Sequence, residues 1–412
     1  MKVLMIAPQP FFEPRGAPFC VYQHIQALTE LGVDVDLITY PIGKQVHLPG
    51  LHIYRTPELP GMHEVKPGPS LKKIPLDIAV FLTAFWHLCW KKYRYIVAHE
   101  EGAFIGIVLS TIFKCKLLYY MHCNMAELIS DNPVIYRFAE MIQKFMVRHA
   151  DAVVAFYPEL AKTAQQMAPH TPIYTILPPA VDEGLPPAPE EEVARLRQKL
   201  GLEGHQVLLY TGTLENYQGI DILLQSANIA RSEFPDVRYL IVGGKPHQVE
   251  HFRTIAQKLH IDDIVHFTGQ RPLEEMPCYM ALATILLSPR NKANHVPLKL
   301  YTYLHSGKPI LATNILSHTQ ILNNEIAMLV PPDAENLARG TLMLLRHPQQ
   351  ALTMAERGLQ FARVHYSWNA FVRHCQEVYH DFAPNFTPAV LYDKFSNNEV
   401  GDEEDISSSP LH

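Results

Sequence analysis

Residues 207–230 read VLLYTGTLENYQGIDILLQSANIA, which contains one complete strand–turn–helix unit. The run Val207–Thr211 is short and apolar, as is typical of a buried strand. Gly212 and Gly219 enclose a polar turn, and the helical pattern of Ile220–Ala230 follows. A strand that passes through a tight turn into a helix is half of a βαβ unit, so this stretch predicts a parallel sheet covered by helices.

The same alternation extends over almost the whole chain. The predicted strands of the first half are Val3–Ala7, Val35–Tyr40, Ile96–Ala98, Leu117–Met121 and Ala152–Phe156. Those of the second half, after Val207–Thr211, are Tyr239–Val242, Val265–Thr268, Thr284–Ser288, Ile310–Thr313 and Ala327–Val330. This pattern predicts an α/β fold of two Rossmann-like, doubly wound domains that face each other across a cleft.

A proline-rich and acidic stretch separates the two halves. Residues 178–192 read PPAVDEGLPPAPEEE, which has no hydrophobic period and is typical of a linker followed by a helix start. We therefore predict domains at 1–180 and 181–363, and a final amphipathic helix within 364–382. Residues 383–412 end in GDEEDISSSPLH, and we predict that they form a disordered acidic tail.

The composition excludes several classes of protein. The 412 residues include 35 Lys and Arg against 41 Asp and Glu, and this net charge of -6 argues against a dedicated nucleic-acid binder. The six cysteines contain no CxxC pair, so we expect a reducing compartment, the cytoplasm.

One apolar stretch, Ile74–Trp90, is a candidate for membrane contact. Pro75, Asp77 and His87 interrupt it, and at 17 residues it is short for a membrane span. We interpret it as a helix packed in the first domain and the acidic tail as a solvated segment. The sequence leaves peripheral membrane contact open but does not indicate it.

Ligands of open α/β sheets bind at the carboxyl ends of the strands, so the residues that follow each strand are the candidates for function. His122 follows Leu117–Met121. A histidine there can exchange a proton with a substrate hydroxyl, although it can also be a packing residue. His99, Glu100 and Glu101 follow another strand, but adjacent side chains rarely bind one ion and no third ligand has suitable spacing. We therefore expect no metal site.

In the second half, two cations stand out. Arg290 follows the strand Thr284–Ser288, and Lys299 lies in the first turn of the predicted helix Leu298–His305. A cation opposes the positive end of a helix dipole, so Lys299 in this position either binds an anion together with the helix end or lies on a solvated face.

Several stretches together resemble glycosyltransferase family 4, which has the two-domain GT-B scaffold. They are Arg15-Gly16-Ala17-Pro18, Met121-His122, Tyr210-Thr211-Gly212-Thr213, Val265–Gly269 and Pro297–Ile310. The resemblance implies that the second domain binds a nucleotide-diphosphate sugar and the first domain binds the acceptor. It also implies retention of the anomeric configuration, no metal or other cofactor, and a final helix that crosses back onto the first domain.

The resemblance assigns roles to individual residues. His122 matches the acceptor-side histidine and is the predicted catalytic residue. The family's E-x7-E glutamates fall at Asn294 and Thr302, and its basic pair falls at Thr213 and Gln218, so all four positions are neutral here. The predicted acceptor-side loop residues are Arg15, Gly16 and Glu101. The predicted donor-binding residues are Gly212, Thr213, Gln218, Gly269, Gln270, Arg290, Asn294, Leu298, Lys299 and Thr302, with Lys299 and Arg290 as replacement phosphate ligands.

These features predict a retaining glycosyltransferase that transfers a sugar from a nucleotide-diphosphate sugar to a hydroxyl acceptor, either a glycan, a lipid or a small molecule. The four neutral positions keep an alternative open, which is a non-catalytic partner or sensor that binds a nucleotide sugar. A third reading is an epimerase or phosphorylase on the same scaffold, but no motif for a pyridoxal lysine is present.

Overall fold

The chain forms two parallel β-sheets, each covered by helices, in a computed structural model that describes residues 1–13, 16–60, 73–126, 133–181, 183 and 185–392. Both sheets have a strand order that reverses near the middle, as in doubly wound folds. The predicted α/β fold of two Rossmann-like domains is therefore confirmed.

The first sheet has seven strands in the order β3-β2-β1-β4-β5-β6-β7. Its strands are β1 (Lys2–Ala7), β2 (Asp34–Thr39), β3 (Leu51–Arg55), β4 (Tyr95–His99), β5 (Lys116–Met121), β6 (Ala152–Ala155) and β7 (Ile173–Thr175). The accompanying helices are α1 (Gly16–Glu30), α2 (Ile74–Trp90), α3 (Gly102–Phe113), α4 (Pro133–His149) and α5 (Pro158–Met167). The strand order reverses between β1 and β4, so the carboxyl ends of these two strands border a crevice.

The second sheet has six strands in the order β10-β9-β8-β11-β12-β13. Its strands are β8 (Gln206–Thr211), β9 (Val237–Val242), β10 (Val265–Gly269), β11 (Ile285–Ser288), β12 (Ile310–Thr313) and β13 (Met328–Val330). The helices that precede, separate and follow them are α6 (Glu190–Lys199), α7 (Ile220–Ala230), α8 (Pro246–Lys258), α9 (Met276–Leu282), α10 (Lys299–His305), α11 (Leu316–Thr319), α12 (Ala334–Arg346), α13 (Pro348–His365) and α14 (Trp368–Phe382).

Two strands of the first sheet, β3 and β7, were not predicted. Both lie at the edges of the sheet and most of their residues are only partly buried. An edge strand needs no continuous apolar run, and β7 has only three residues. The central strands, by contrast, are almost wholly buried and are therefore visible in the sequence as apolar runs.

The last helix, α14, packs against α1 of the first sheet. Trp368 donates a hydrogen bond from Nε1 to Glu30 at 2.8 Å, and the rings of Tyr95 and Phe382 lie 5.5 Å apart. The chain then continues along the same domain, because Phe386 is buried and the backbone N–H of Ala389 donates to the carbonyl of Leu31 at 3.0 Å.

The predicted start of a disordered tail at residue 383 is therefore wrong for residues 383–392. Ala383 and Phe386 belong to the core of the first domain and Tyr392 packs against it, whereas Val390 and Leu391 are exposed. The rest of the predicted tail, residues 393–412, lies outside the described residues. In the parts of the chain that the structure describes, no helix is both long enough and apolar enough to cross a membrane.

Candidate active site

Three glycine turns meet at the carboxyl ends of adjacent strands in the second sheet. Gly212 follows β8, Gly243 follows β9, and Gly269 ends β10. The N–H of Gly243 donates to the carbonyl of Gly269 at 2.9 Å, and a Cβ on Gly243 would lie only 1.9 Å from the carbonyl oxygen of Gly212. Only glycine permits this approach, and the result is a shelf of backbone on which Gly212 is exposed and Gly243 and Gly269 are partly buried.

Gly212 and Gly269 were predicted site residues, whereas Gly243 was missed. The rule that selected the other two applies to it as well, because Gly243 directly follows the predicted strand Tyr239–Val242. Gly269 and the exposed Gln270 border an open cavity, which Lys245 and Arg253 line from α8 and the turn before it.

Lys299 projects from the start of α10 towards the same shelf. Its Nζ lies 3.8 Å from the ring centroid of Tyr210, and it would lie 3.8 Å from a Cβ on Gly212. The Nζ is buried and has no hydrogen-bond partner among the described residues. Burial, with a contribution from the charge of Arg290, holds the pKa of Lys299 well below its usual range. The amine therefore does not lie on a solvated face of its helix.

Arg290 is a second buried cation at this site, with 2% of its surface exposed. Its Nη1 donates to the carbonyl of His295 at 2.7 Å, and its guanidinium lies 5.1 Å from the ring centroid of Tyr217. The Nε has no partner within the described chain, and burial lowers the pKa of the group. The ion pairs formed by described residues include neither Arg290 nor Lys299.

His318 lies close enough to the two cations to feel their charges and was not predicted. Its Nδ1 donates to the carbonyl of Thr313 at 2.7 Å, and its Nε2 accepts from the hydroxyl of Ser288 at 2.9 Å. Burial lowers the pKa of His318 to about 3, and the charges of Arg290 and Lys299 act in the same direction. The ring is therefore neutral and adds no positive charge to the site.

The turn after β8 brings together Thr213 and Gln218, the neutral residues at the positions of the family's basic pair. Gln218 is buried and donates from Nε2 to the hydroxyl of Thr213 at 3.3 Å, while its Oε1 has no partner among the described residues. Gly219 has a φ of 70°, and a Cβ there would lie 2.0 Å from the carbonyl oxygen of Pro289. The turn therefore packs tightly on the loop that carries Arg290.

The loop between β11 and α10 is connected to the first domain through Gln320. Asn294 is exposed, and its carbonyl accepts from Nε2 of Gln320 at 2.8 Å. The Oε1 of Gln320 in turn accepts from the N–H of Glu159 in the first domain at 3.2 Å. Leu298 immediately precedes α10, and the partly buried Thr302 lies within that helix, near Lys299.

His122 lies on the first-domain side of this contact. Its ring stacks on Phe156 with centroids 4.3 Å apart, and Phe156 belongs to the same turn as Glu159. Burial lowers the pKa of His122 to about 3, so the imidazole is neutral near pH 7. It can exchange hydrogen bonds with a hydroxyl but does not supply a positive charge.

A chain of hydrogen bonds extends from His122 into the core. The Nε2 of His122 lies 2.8 Å from Nδ1 of His99, whose Nε2 lies 3.3 Å from Nδ1 of His24. The Nε2 of His24 lies 3.3 Å from the hydroxyl of Tyr379 in α14. None of these three partners was predicted as a site residue, since the fold alone brings them together.

Two glutamates complete the first-domain side. Glu100 has a φ of 49°, and its carboxylate accepts from the N–H of His122 at 3.1 Å. Burial, reinforced by the charge of Glu101, raises the pKa of Glu100 to about 8. Glu101 forms an ion pair with Lys73 just before α3. Of the predicted acceptor-side residues, Gly16 begins α1 in an exposed position, and Arg15 lies outside the described residues.

Comparisons with known families place both halves of the chain. Residues 15–180 match the family described as "Glycosyl transferase 4-like domain". Residues 192–361 match the family described as "Glycosyl transferases group 1". The two matches leave residues 1–14, 181–191 and 362–412 unassigned.

Individual relatives agree with these families. A GDP-mannose-dependent alpha-(1-6)-phosphatidylinositol monomannoside mannosyltransferase of Mycolicibacterium smegmatis is 28% identical over 201 residues, which cover 47% of this chain and 52% of that enzyme. The chain thus spans about half the length of that relative. A D-inositol 3-phosphate glycosyltransferase of Corynebacterium aurimucosum is 21% identical over 416 residues, which cover 92% of this chain and 96% of that enzyme.

The fold is also similar to the folds of solved glycosyltransferase structures. HepE of Anabaena, in complex with UDP-glucose, superimposes with a TM-score of 0.74 at 17% identity, covering 92% of this chain and 100% of that one. With both halves matched and the two-sheet architecture shared, the chain belongs to the family 4 glycosyltransferases built on the GT-B scaffold.

Proposed function

We propose that this glycosyltransferase binds a nucleotide-diphosphate sugar at the strand ends of its second sheet and transfers the sugar, with retention, to a hydroxyl acceptor on the first domain. The observation that carries the proposal is the pair of buried cations, Lys299 and Arg290, beside the glycine shelf. Two buried cations without a carboxylate partner are very costly, and a bound diphosphate provides the missing negative charge.

Lys299 and Arg290 would also stabilise the transition state of sugar transfer. As the bond between sugar and diphosphate breaks, negative charge develops on the leaving oxygen, and positive groups held nearby stabilise it. Lys299 and Arg290 are held in place by the packing of Tyr210 and Tyr217. Their orientation therefore costs little reorganisation during the reaction. The backbone at Gly212 and Gly269, which carries no side chain, would allow close approach of the phosphates and the base.

The first domain supplies contacts for hydroxyl groups. A neutral His122 can accept a hydrogen bond from the acceptor or donate one to the transferred sugar, and the partly protonated Glu100 lies beside it. Retention is supported by membership of family 4. The chemistry as proposed needs no metal or other cofactor.

The relatives suggest the classes of substrate to test. Their activities involve GDP-mannose as donor and inositol phosphate or phosphatidylinositol mannoside as acceptor, and HepE was solved with UDP-glucose. We propose a polyol hydroxyl as the acceptor group, on a glycan, a lipid or a small molecule. We also propose the cytoplasm as the compartment, which six free cysteines support.

A panel assay tests the proposal. The purified full chain is incubated with UDP-, GDP- and ADP-sugars, with and without inositol-type and glycoside acceptors, and free nucleoside diphosphate is measured. Release that depends on the acceptor, with a product whose anomeric proton has the configuration of the donor, is the expected result. Release with an inverted product would refute the retaining mechanism.

A non-catalytic nucleotide-sugar binder is the second candidate, favoured by the neutral residues at Thr213, Gln218, Asn294 and Thr302. Both candidates predict saturable binding, because a ligand that binds only the folded state raises its thermal stability. Saturable binding without any release of nucleoside diphosphate across the panel would support the binder. No stabilisation by any nucleotide would exclude both.

A further inference from the structure

Helix α2 carries two apolar stripes, each with a spacing of four residues. One stripe is buried against the first sheet and consists of Leu76, Val80, Ala84 and Leu88. The other is exposed and consists of Ile74, Ile78, Leu82, Trp86 and Trp90. A helix that is apolar on all sides is normally covered on all sides. Our interpretation of residues 74–90 as a packed helix therefore accounts for only half of this surface.

The exposed apolar surface continues onto α3 and α4. On α3 it includes Phe104, Val108 and Ile112, and on α4 it includes Val134, Phe138 and Met141. Ring contacts join the three helices, because Phe85 lies 5.4 Å from Phe113 and Phe104 lies 6.1 Å from Phe145. We call the exposed apolar side chains of α2, α3 and α4 the apolar face. A continuous exposed patch across three helices marks an interaction site.

Charge is distributed unevenly around the apolar face. Asp77 is the only Asp, Glu, Lys or Arg within α2 and α3, and it accepts a hydrogen bond from the hydroxyl of Tyr40 at 2.5 Å. Exposed cations gather where the three helices end and β4, β5 and β6 begin. We call these cations the basic rim: Lys92, Arg94, Lys114, Lys116, Lys144 and Arg148. The ion pairs found in the described part of the chain involve none of them.

We propose that the apolar face and the basic rim bind the surface of an anionic lipid bilayer. The apolar side chains would enter the boundary between headgroups and acyl chains, and the basic rim would contact the anionic headgroups. Trp86 and Trp90, at 64% and 73% exposure, lie near Lys92 at the junction of the two regions. Amphipathic indole rings prefer this level of a membrane.

Charge complementarity favours a bilayer over a second copy of the chain. A second copy would bring an identical basic rim, and the described residues of the three helices include only Asp77 and Glu140 as acidic groups, whereas anionic headgroups neutralise the rim. The apolar face also begins beside the proposed acceptor side, since α3 starts directly after Glu101. The basic rim lies at the amino-terminal ends of β4, β5 and β6, so the apolar face extends from the acceptor side to the opposite ends of these strands.

Vesicle binding by the full chain tests this proposal directly. The chain is sedimented with vesicles of phosphatidylcholine alone and with vesicles containing about one third phosphatidylglycerol. We expect binding to the anionic vesicles and a blue shift of tryptophan emission, because two of the three tryptophans lie on the apolar face. Each cation near an anionic surface contributes about fivefold, so Lys92→Glu with Lys114→Glu lowers binding by about twentyfold or more.

Replacing exposed apolar residues with glutamine distinguishes binding through the apolar face from nonspecific hydrophobic adsorption. Trp86→Gln with Trp90→Gln removes exposed rings and is expected to lower binding at least tenfold. If that variant does not fold, Phe138→Gln with Met141→Gln tests the same surface. The matched control is Leu352→Gln with Val364→Gln, which changes exposed apolar residues of α13 and leaves binding unchanged.

Two results would overturn the proposal. One is the absence of binding to either kind of vesicle. The other is a wild-type chain that forms dimers which the Trp86→Gln, Trp90→Gln variant cannot form, because the apolar face would then be an interface between two copies.

Discussion

Replacing Lys299 by methionine removes one buried positive charge while keeping the length of the side chain. Charge-assisted hydrogen bonds contribute about 1.5–3 kcal/mol each, and 1.4 kcal/mol corresponds to a factor of ten in affinity. If Lys299 binds the diphosphate, the variant should therefore bind a nucleoside diphosphate about ten to a hundred times more weakly. Binding of the corresponding nucleoside, which has no phosphate, should barely change.

The same substitution should act in the opposite direction on the free protein. An unpaired buried charge costs several kcal/mol, and the contact with the Tyr210 ring returns only about 2 kcal/mol. We therefore expect the ligand-free Lys299→Met variant to be at least as stable as the wild type. Because the pKa of Lys299 is lowered in the folded protein, the unfolded chain binds the proton more tightly, and the free energy of unfolding of the wild type increases as the pH rises towards 10.5. The difference in stability between the variant and the wild type should therefore become smaller at high pH.

Isothermal titration with UDP, GDP and ADP, and with the matching nucleosides, measures the affinities. Thermal and denaturant unfolding measure the stability. Lys292→Met is the matched control, because Lys292 is exposed on the same loop and should change neither quantity. Equal loss of nucleoside and diphosphate binding would refute the reasoning, as would a diphosphate affinity within about twofold of the wild type.

Three further predictions follow from the geometry of the site. Gly219→Ala should lower the melting temperature and the diphosphate affinity far more than Gly201→Ala. Both glycines have a positive φ, but only at Gly219 would a Cβ collide with Pro289. Equal effects of the two substitutions would mean that the backbone angle alone causes the loss. His122→Ala should lower the turnover rate at least tenfold with donor affinity unchanged within about twofold, and a wild-type rate would make this residue purely structural. Glu100, whose pKa is raised to about 8, contributes stability that is present below pH 4.5 and lost as the pH rises through 8. Denaturant unfolding at pH 5, 7 and 9 should show that loss in the wild type and not in Glu100→Gln, and parallel curves would contradict the raised pKa.

The strand-end rule predicted the part of the site that is built from local sequence. Gly212 and Arg290 come after the buried strands β8 and β11, Gly269 ends the edge strand β10, and parallel strands bring their carboxyl ends to one edge of a sheet. Lys299 was selected because a cation is unfavourable at a helix start, and its amine is buried near Gly212. The central strands were predicted for a similar reason, since burial on both faces requires apolar runs.

The remaining features depend on contacts between residues far apart in sequence. His318 forms hydrogen bonds with Ser288 and Thr313 near the two cations and has no local signature. His24, His99 and Tyr379 become neighbours of His122 only when α1, β4 and α14 have packed together. The exposed stripe of α2 was missed because an apolar run does not show whether a helix is buried on both sides or on one side only.

The packing of α14 also has a consequence for synthesis of the chain. The first domain closes its core with Phe371, Tyr379 and Phe382 of α14, and with Phe386 beyond it. A ribosome adds these residues only after the whole second sheet has been made. Domains generally fold in the order of their synthesis, but here an apolar seam along α1 and β4 stays open on the nascent chain. The second domain is therefore complete before the first, and early termination before residue 386 leaves the first domain with an unfilled core.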